Sequence, residues 1–239
     1  MMKALTLAIA VLWIGSAAPS VALQSSLEEI VVTGSRVRAW DPDEIPAVRL
    51  DRRADNLIVE VRAVGDTRDA TERRSELIAT LRGVARAAVA HSDIDLSIEV
   101  DGALVPLTEN MVSTLTLGVE PGRVETSVTT LIVKTPIRAT DDLDAASGRI
   151  ETFVRAVPKV GRTLVTITGD WELSIVNPTQ YRTVILDLMA ADARRTTTAF
   201  GADYAVEAEG LENRVTWIQS GPLELSLFIP YRLRLTPRP

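Results

Sequence analysis

Between Leu223 and Leu235 an apolar side chain stands at every second position: Leu223, Leu225, Leu227, Ile229, Tyr231, Leu233 and Leu235. A period of two belongs to a β-strand, because successive side chains project to opposite faces of the pleat. The pattern predicts one long strand with a buried face, and with Glu224, Ser226, Arg232 and Arg234 turned outward. Proline has no N–H to give to a ladder, so Pro230 makes this strand an edge or bulges it. A long edge of this kind is a site for pairing between subunits.

Upstream, strand and helix periods alternate. Leu57, Val59, Val61 and Ala63 predict a strand ending near Gly65. A helix follows, capped by Asp69 with Glu72, and its apolar stripe is Ala70, Leu77, Ile78, Leu81, Val84, Ala85, Ala88 and Val89. Ile94 to Val100 reads as a strand, Asp101-Gly102 as a hairpin turn and Ala103 to Leu107 as the returning strand. Longer strands are expected at Ser113 to Glu120 and Val124 to Thr135, joined by Pro121-Gly122.

Thr140 is the expected N-cap of a second helix, with Asp141 and Asp142 favoured in its first turn. Its stripe is Leu143, Ala146, Ile150, Phe153, Val154 and Val157. Thr163 to Val176 predicts a long strand, kinked or bulged at Gly169-Asp170. Asn177-Pro178 opens a third helix, whose buried face is Tyr181, Val184, Ile185, Leu188 and Ala191 and which Gly201 ends. Strands at Tyr204 to Glu207 and Arg214 to Gln219 precede the alternating run. The order predicts an α+β fold in which three amphipathic helices pack on antiparallel sheets.

Composition narrows the chemistry. Cysteine is absent and His91 is the only histidine, which removes disulfides, thiolate zinc sites, a cysteine nucleophile and multi-histidine metal centres. The formal net charge of −6 has the wrong sign for a nucleic-acid partner, whose affinity rests on phosphate neutralisation. No G-x-S-x-G, H-E-x-x-H, P-loop or G-x-G-x-x-G occurs.

The charged groups that remain have structural readings. His91 closes the first helix, where an imidazole favours the negative end of the dipole. Asp141, Asp142 and Asp144 are first-turn acids, Asp93 and Asp95 share a solvated strand face, and Asp41, Asp43 and Glu44 lack calcium-loop spacing. Arg73-Arg74 and Arg194-Arg195 read as helix-surface partners of Glu72, Glu76 and Asp192, the alternative being an anion-binding rim on an assembled ring. The expectation is a protein that is not an enzyme, with no catalytic residue, metal or cofactor. A hydrolase built on single carboxylates stays open as a third class.

Lys3, the apolar run Ala4 to Ile14 and the small residues Gly15 to Ala22 read as a secretory signal, cut after Ser20-Val21-Ala22. That run is shorter than the roughly 20 apolar residues of a membrane helix, and no later segment approaches 18 uninterrupted apolar residues, so the mature chain is expected to carry no transmembrane segment. The expected location is the periplasm. Residues 23–55 read as an extended arm and linker, and residues 56–239 as the folded domain.

Within the arm, Glu28-Glu29-Ile30-Val31-Val32-Thr33-Gly34-Ser35-Arg36 resembles the TonB-box region of TonB-dependent outer-membrane receptors. The resemblance implies strand addition to TonB, with Glu29, Ile30, Val31, Val32, Thr33 and Gly34 as the partner-binding residues. The β-branched run favours an extended backbone and Gly34 ends it. The nine residues carry no receptor with them, since a chain of 239 residues does not accommodate a plug and a barrel of about 22 strands. The other reading of the same residues is an arm that pads the fold or a neighbouring subunit.

From Leu57 onward the arrangement resembles the SIMPL-domain family of secreted bacterial envelope proteins. The resemblance lies in Ile58 to Gly65 before an Ala-rich helix, in Leu173-Ser174-Ile175-Val176-Asn177-Pro178 before Met189-Ala190-Ala191-Asp192-Ala193-Arg194-Arg195, and in Phe200-Gly201. Leu227 to Leu233 suits the family's closing strands, while Thr196-Thr197-Thr198 stands where members are richer in alanine. It implies a self-assembling, homo-oligomeric envelope protein without catalytic chemistry. A TonB-linked accessory protein, docked through its N-terminal segment, is the alternative.

Overall fold

The computed structural model describes residues 29–32, 46–100 and 103–238. The expected signal segment, Thr33, Gly34, the acids Asp41, Asp43 and Glu44, and the turn Asp101-Gly102 lie outside the described residues. The fold is α+β, with antiparallel sheets and three substantial helices.

Its elements, in chain order, are β1 (Glu29–Val32), β2 (Leu50–Arg53), β3 (Asn56–Gly65), α1 (Ala70–Ala90), β4 (Asp95–Val100) and β5 (Ala103–Pro106). There follow β6 (Gly118–Glu120), β7 (Arg123–Pro136), α2 (Leu143–Ala156), β8 (Thr163–Ile167), β9 (Glu172–Val176) and α3 (Arg182–Phe200). The chain closes with β10 (Tyr204–Glu209), β11 (Thr216–Gln219), β12 (Glu224–Phe228) and β13 (Arg232–Pro237). The large sheet has the order β1-β9-β3-β7-β4-β5, with β6 added to β7 and β8 to β3. A three-stranded sheet, β11-β12-β2, and a ribbon, β10-β13, complete the fold. No described helix is long and apolar enough to cross a membrane.

β3 is the spine because its alternation is nearly uninterrupted. Val59, Val61 and Ala63 enter one core with Leu131 and Val133 of β7, and α1 seals it with Leu77, Leu81, Val84 and Ala85. Ile150, Phe153 and Val154 of α2 join the same core. Leu57, at the start of β3, belongs instead to a second core with Leu173 and Ile175 of β9, Ile185 and Met189 of α3, and Leu225 and Leu227 of β12.

Helix starts follow local hydrogen bonding. The Asp69 carboxylate accepts from the Glu72 N–H at 2.8 Å, as the capping pair predicts. At α2 the cap is Asp142, which accepts from the Ala145 N–H at 2.8 Å, and not Thr140. Two chain-proximal donors, the Arg138 N–H and the Arg149 guanidinium, take Asp141, which leaves Asp142 to close the first turn.

β8 and β9 together replace the expected single strand. Ile167 pairs with Val61 and Glu172 with Ile58, so residues 168–171 lie opposite only Val59 and Glu60. This bulge of two extra residues is anchored by the Thr168 N–H on the Glu60 carbonyl at 3.1 Å. A Cβ at Gly169 would lie 2.9 Å from the Glu60 Cβ, so the close approach requires glycine.

Four expectations need correction. The alternating run from Leu223 is not one strand: it breaks at Pro230 into β12, central in its sheet, and β13, an edge strand paired with β10 in a two-stranded ribbon. Both faces of β12 are buried, Ser226 donating to Asp51 while Leu225 and Leu227 enter the core. Glu109–Thr114 forms a 3-10 turn where Ser113 to Glu120 suggested a strand, because the Ser113 and Thr114 hydroxyls bond back to the Asn110 and Met111 carbonyls. In α1, Ala70 and Val89 lie outside the buried stripe, and in α3 Ile185 and Met189 are the buried residues while Val184 and Leu188 stay exposed. Arg73 turns inward, donating to the Thr67 and Arg68 carbonyls and to Ser127, instead of pairing on the helix surface.

Candidate partner-binding edge

β9 is short, apolar and hydrogen-bonded on both sides. Toward β3, the Ser174 carbonyl accepts from the Asp55 N–H at 2.9 Å, and the Val176 N–H donates to the Asp55 carboxylate at 2.8 Å. Backbone groups alternate in direction along a strand, so the N–H and C=O of Leu173 and Ile175 point the other way. That direction is where β1 lies, in the register Glu29↔Val176, Ile30↔Ile175, Val31↔Ser174 and Val32↔Leu173.

The same alternation sorts β1. Ile30 and Val32 turn their backbone groups to β9, while those of Glu29 and Val31 face away, on the outer side of the terminal strand. The TonB-box-like residues Glu29, Ile30, Val31 and Val32 therefore form an edge strand of the protein's own sheet; Thr33 and Gly34 lie outside the described residues. At the far end of the same sheet, β5 closes in Pro106, a residue that blunts an edge.

Comparison with family models, curated proteins and solved structures found no match.

The support of β9 was not visible in the spacing of the sequence. Asp55 sits in what reads as linker, yet it holds Val176, and Arg52 donates to its carboxylate at 2.5 Å while stacking over Tyr181 at 4.5 Å from the ring centroid. Asn56 donates to the Ser174 hydroxyl at 3.1 Å on the buried side of the strand. These partners are 118 and 121 residues apart in the chain, so only the sheet topology brings them together.

Several other charged groups have structural partners. Asp93, just before β4, pairs with Arg138, just after β7, at 2.6 Å, and Asp95 with Lys134 at 3.6 Å across the two strands. The exposed Arg195 meets Asp192 at 3.2 Å, as the helix spacing predicts. Arg162 donates to Asp66 and holds its carboxyl below the ordinary carboxylate value. His91 caps α1 through its backbone and sets its ring edge-on to Phe153, with centroids 5.8 Å apart. Burial pushes the Tyr231 phenol above its ordinary value, and Asp192 adds to the shift. Among the described residues no three or more His, Cys, Asp or Glu side chains cluster as a metal site.

Proposed function

We propose that the protein is a non-enzymatic, periplasmic, SIMPL-like envelope factor that works through self-association or through binding another protein. The observation that carries the reading is β1. A four-residue strand closes the large sheet, and the outward backbone groups of Glu29 and Val31 form a template for a further strand.

The test is the mass in solution of the processed chain, by size exclusion with light scattering over a hundredfold concentration range. A discrete multi-subunit species is the expected result. A monomer at every concentration would overturn self-association.

A TonB-linked accessory role is the second reading, favoured by the extended, strand-forming backbone of Glu29–Val32. Deleting Glu28 to Arg36 should then abolish capture of the TonB periplasmic domain while leaving the circular dichroism of the fold intact. Equal capture by both chains would remove that reading.

A further inference from the structure

We propose that Glu29–Val32 is an exchangeable arm: in the assembled protein, the strand lying on each β9 is supplied by a neighbouring copy of the chain. This rests on the self-association reading and specifies its route.

The first support is that vacancy at the β9 edge is costly. Leu173 and Ile175 are buried, at 1% and 0% exposure, and their outward N–H and C=O groups face β1. Buried backbone groups without partners are costly, so the occupant of this edge is replaced, not simply released.

The second support is reach. Seventeen positions, 33–49, separate Val32 from the start of β2. Fully extended, such a connection spans up to about 60 Å, against a radius of gyration of about 18 Å for a domain of this length. The arm is therefore long enough to cross to an adjoining molecule.

The third support is equivalence. All four pairings, Glu29↔Val176 to Val32↔Leu173, are identical whether the strand comes from the same chain or from a second copy. Exchange loses no contact, and the balance is set by chain concentration, as in domain swapping. The observed pairing already demonstrates that the two surfaces are complementary, which commits the occupant to a second copy of this segment.

Glu29 and Val176 form a non-hydrogen-bonded pair, the arrangement in which cross-strand side chains come closest. Since the chain has no cysteine of its own, an engineered disulfide here has no competitor. Two processed chains, Glu29→Cys and a size-tagged Val176→Cys, are unfolded in urea, refolded together at high concentration and mildly oxidised. Exchange predicts a tagged–untagged disulfide at least ten times more abundant than in a parallel mixture of Glu29→Cys with tagged Glu99→Cys, an exposed site on β4. As a second measurement, Ile30→Pro, which deletes the ladder N–H facing Ile175, lowers the association constant at least tenfold.

Assembly without the mixed disulfide, and with Ile30→Pro associating normally, would overturn the exchange while leaving self-association standing. A monomer at every concentration would overturn both.

Discussion

Replacing Leu81 by alanine is expected to lower the unfolding free energy by about 2–5 kcal/mol, the range for truncating a fully buried leucine. Leu81 is 0% exposed, midway along α1, and packs into the core shared with Val59 and Val61 of β3 and Leu131 of β7. The cost has two parts, the transfer of the lost methyl groups and the cavity left between helix and sheet. At about 2–4 °C per kcal/mol for a chain of this size, the midpoint should fall by roughly 4–20 °C. Val89→Ala, on the same helix but 87% exposed, should stay within about 0.5 kcal/mol. Urea unfolding of the two variants checks both values; equal effects would show that the buried face of α1 is misassigned.

Arg149→Ala should cost about 1–3 kcal/mol at pH 7, well beyond the range of a solvent-exposed pair. The Arg149 guanidinium donates to Asp141 at 2.6 Å, to the Pro136 carbonyl at 2.7 Å and to the Thr135 hydroxyl at 3.1 Å, tying α2 to the end of β7. Its side chain is 18% exposed and that of Asp141 only 7%, so removing the arginine strands a carboxylate with little water around it. The Arg149 hydrogen bond, helped by the Arg138 N–H, holds the Asp141 carboxyl below its ordinary value. A depressed folded-state value stabilises the protein above the unfolded value of about 3.9, and that contribution is lost as the pH falls through the folded value. The gap between wild type and variant should therefore narrow below about pH 4, leaving the part that comes from the Pro136 and Thr135 bonds. Urea unfolding at pH 7 and pH 3 measures it; a gap independent of pH would contradict the assigned ionic component.

Legibility in the sequence followed the range of the interaction that decides each feature. Asp69 caps α1 and Gly201 ends α3 with a φ of 91°, because those choices are settled within a few residues. The break at Gly169 was equally local. Asn177-Pro178 instead open a 3-10 turn over Pro178–Tyr181, with Asn177 at a φ of 47° and no side-chain cap, and α3 starts only at Arg182. Period-two alternation placed Leu223 to Leu235 in strands but not in which sheets, since β2, which receives β12, lies more than 170 residues away in the chain, and β13 passes over its chain neighbours to pair with β10. Helical periodicity alone could not tell the exposed Val184 and Leu188 from the buried Ile185 and Met189. All four are apolar, and the choice is made by where β9 and β12 sit.

The candidate edge divides in the same way. β-branched residues marked Ile30, Val31 and Val32 as extended, and the strand of Glu29–Val32 agrees. Its neighbour β9, and the role of Asp55 in fixing which groups of β9 point outward, depend on contacts more than 100 residues apart in the chain.

The most direct measurement is amide hydrogen exchange at Leu173, Ser174, Ile175 and Val176, compared between a chain of residues 23–239 and one of residues 37–239. With β1 on β9, removing the arm should speed exchange at Leu173 and Ile175 on the order of 100-fold, while Val176, whose N–H donates to the Asp55 carboxylate, stays protected. Unchanged rates at all four, or an equal loss at all four, would contradict the edge on which the account rests.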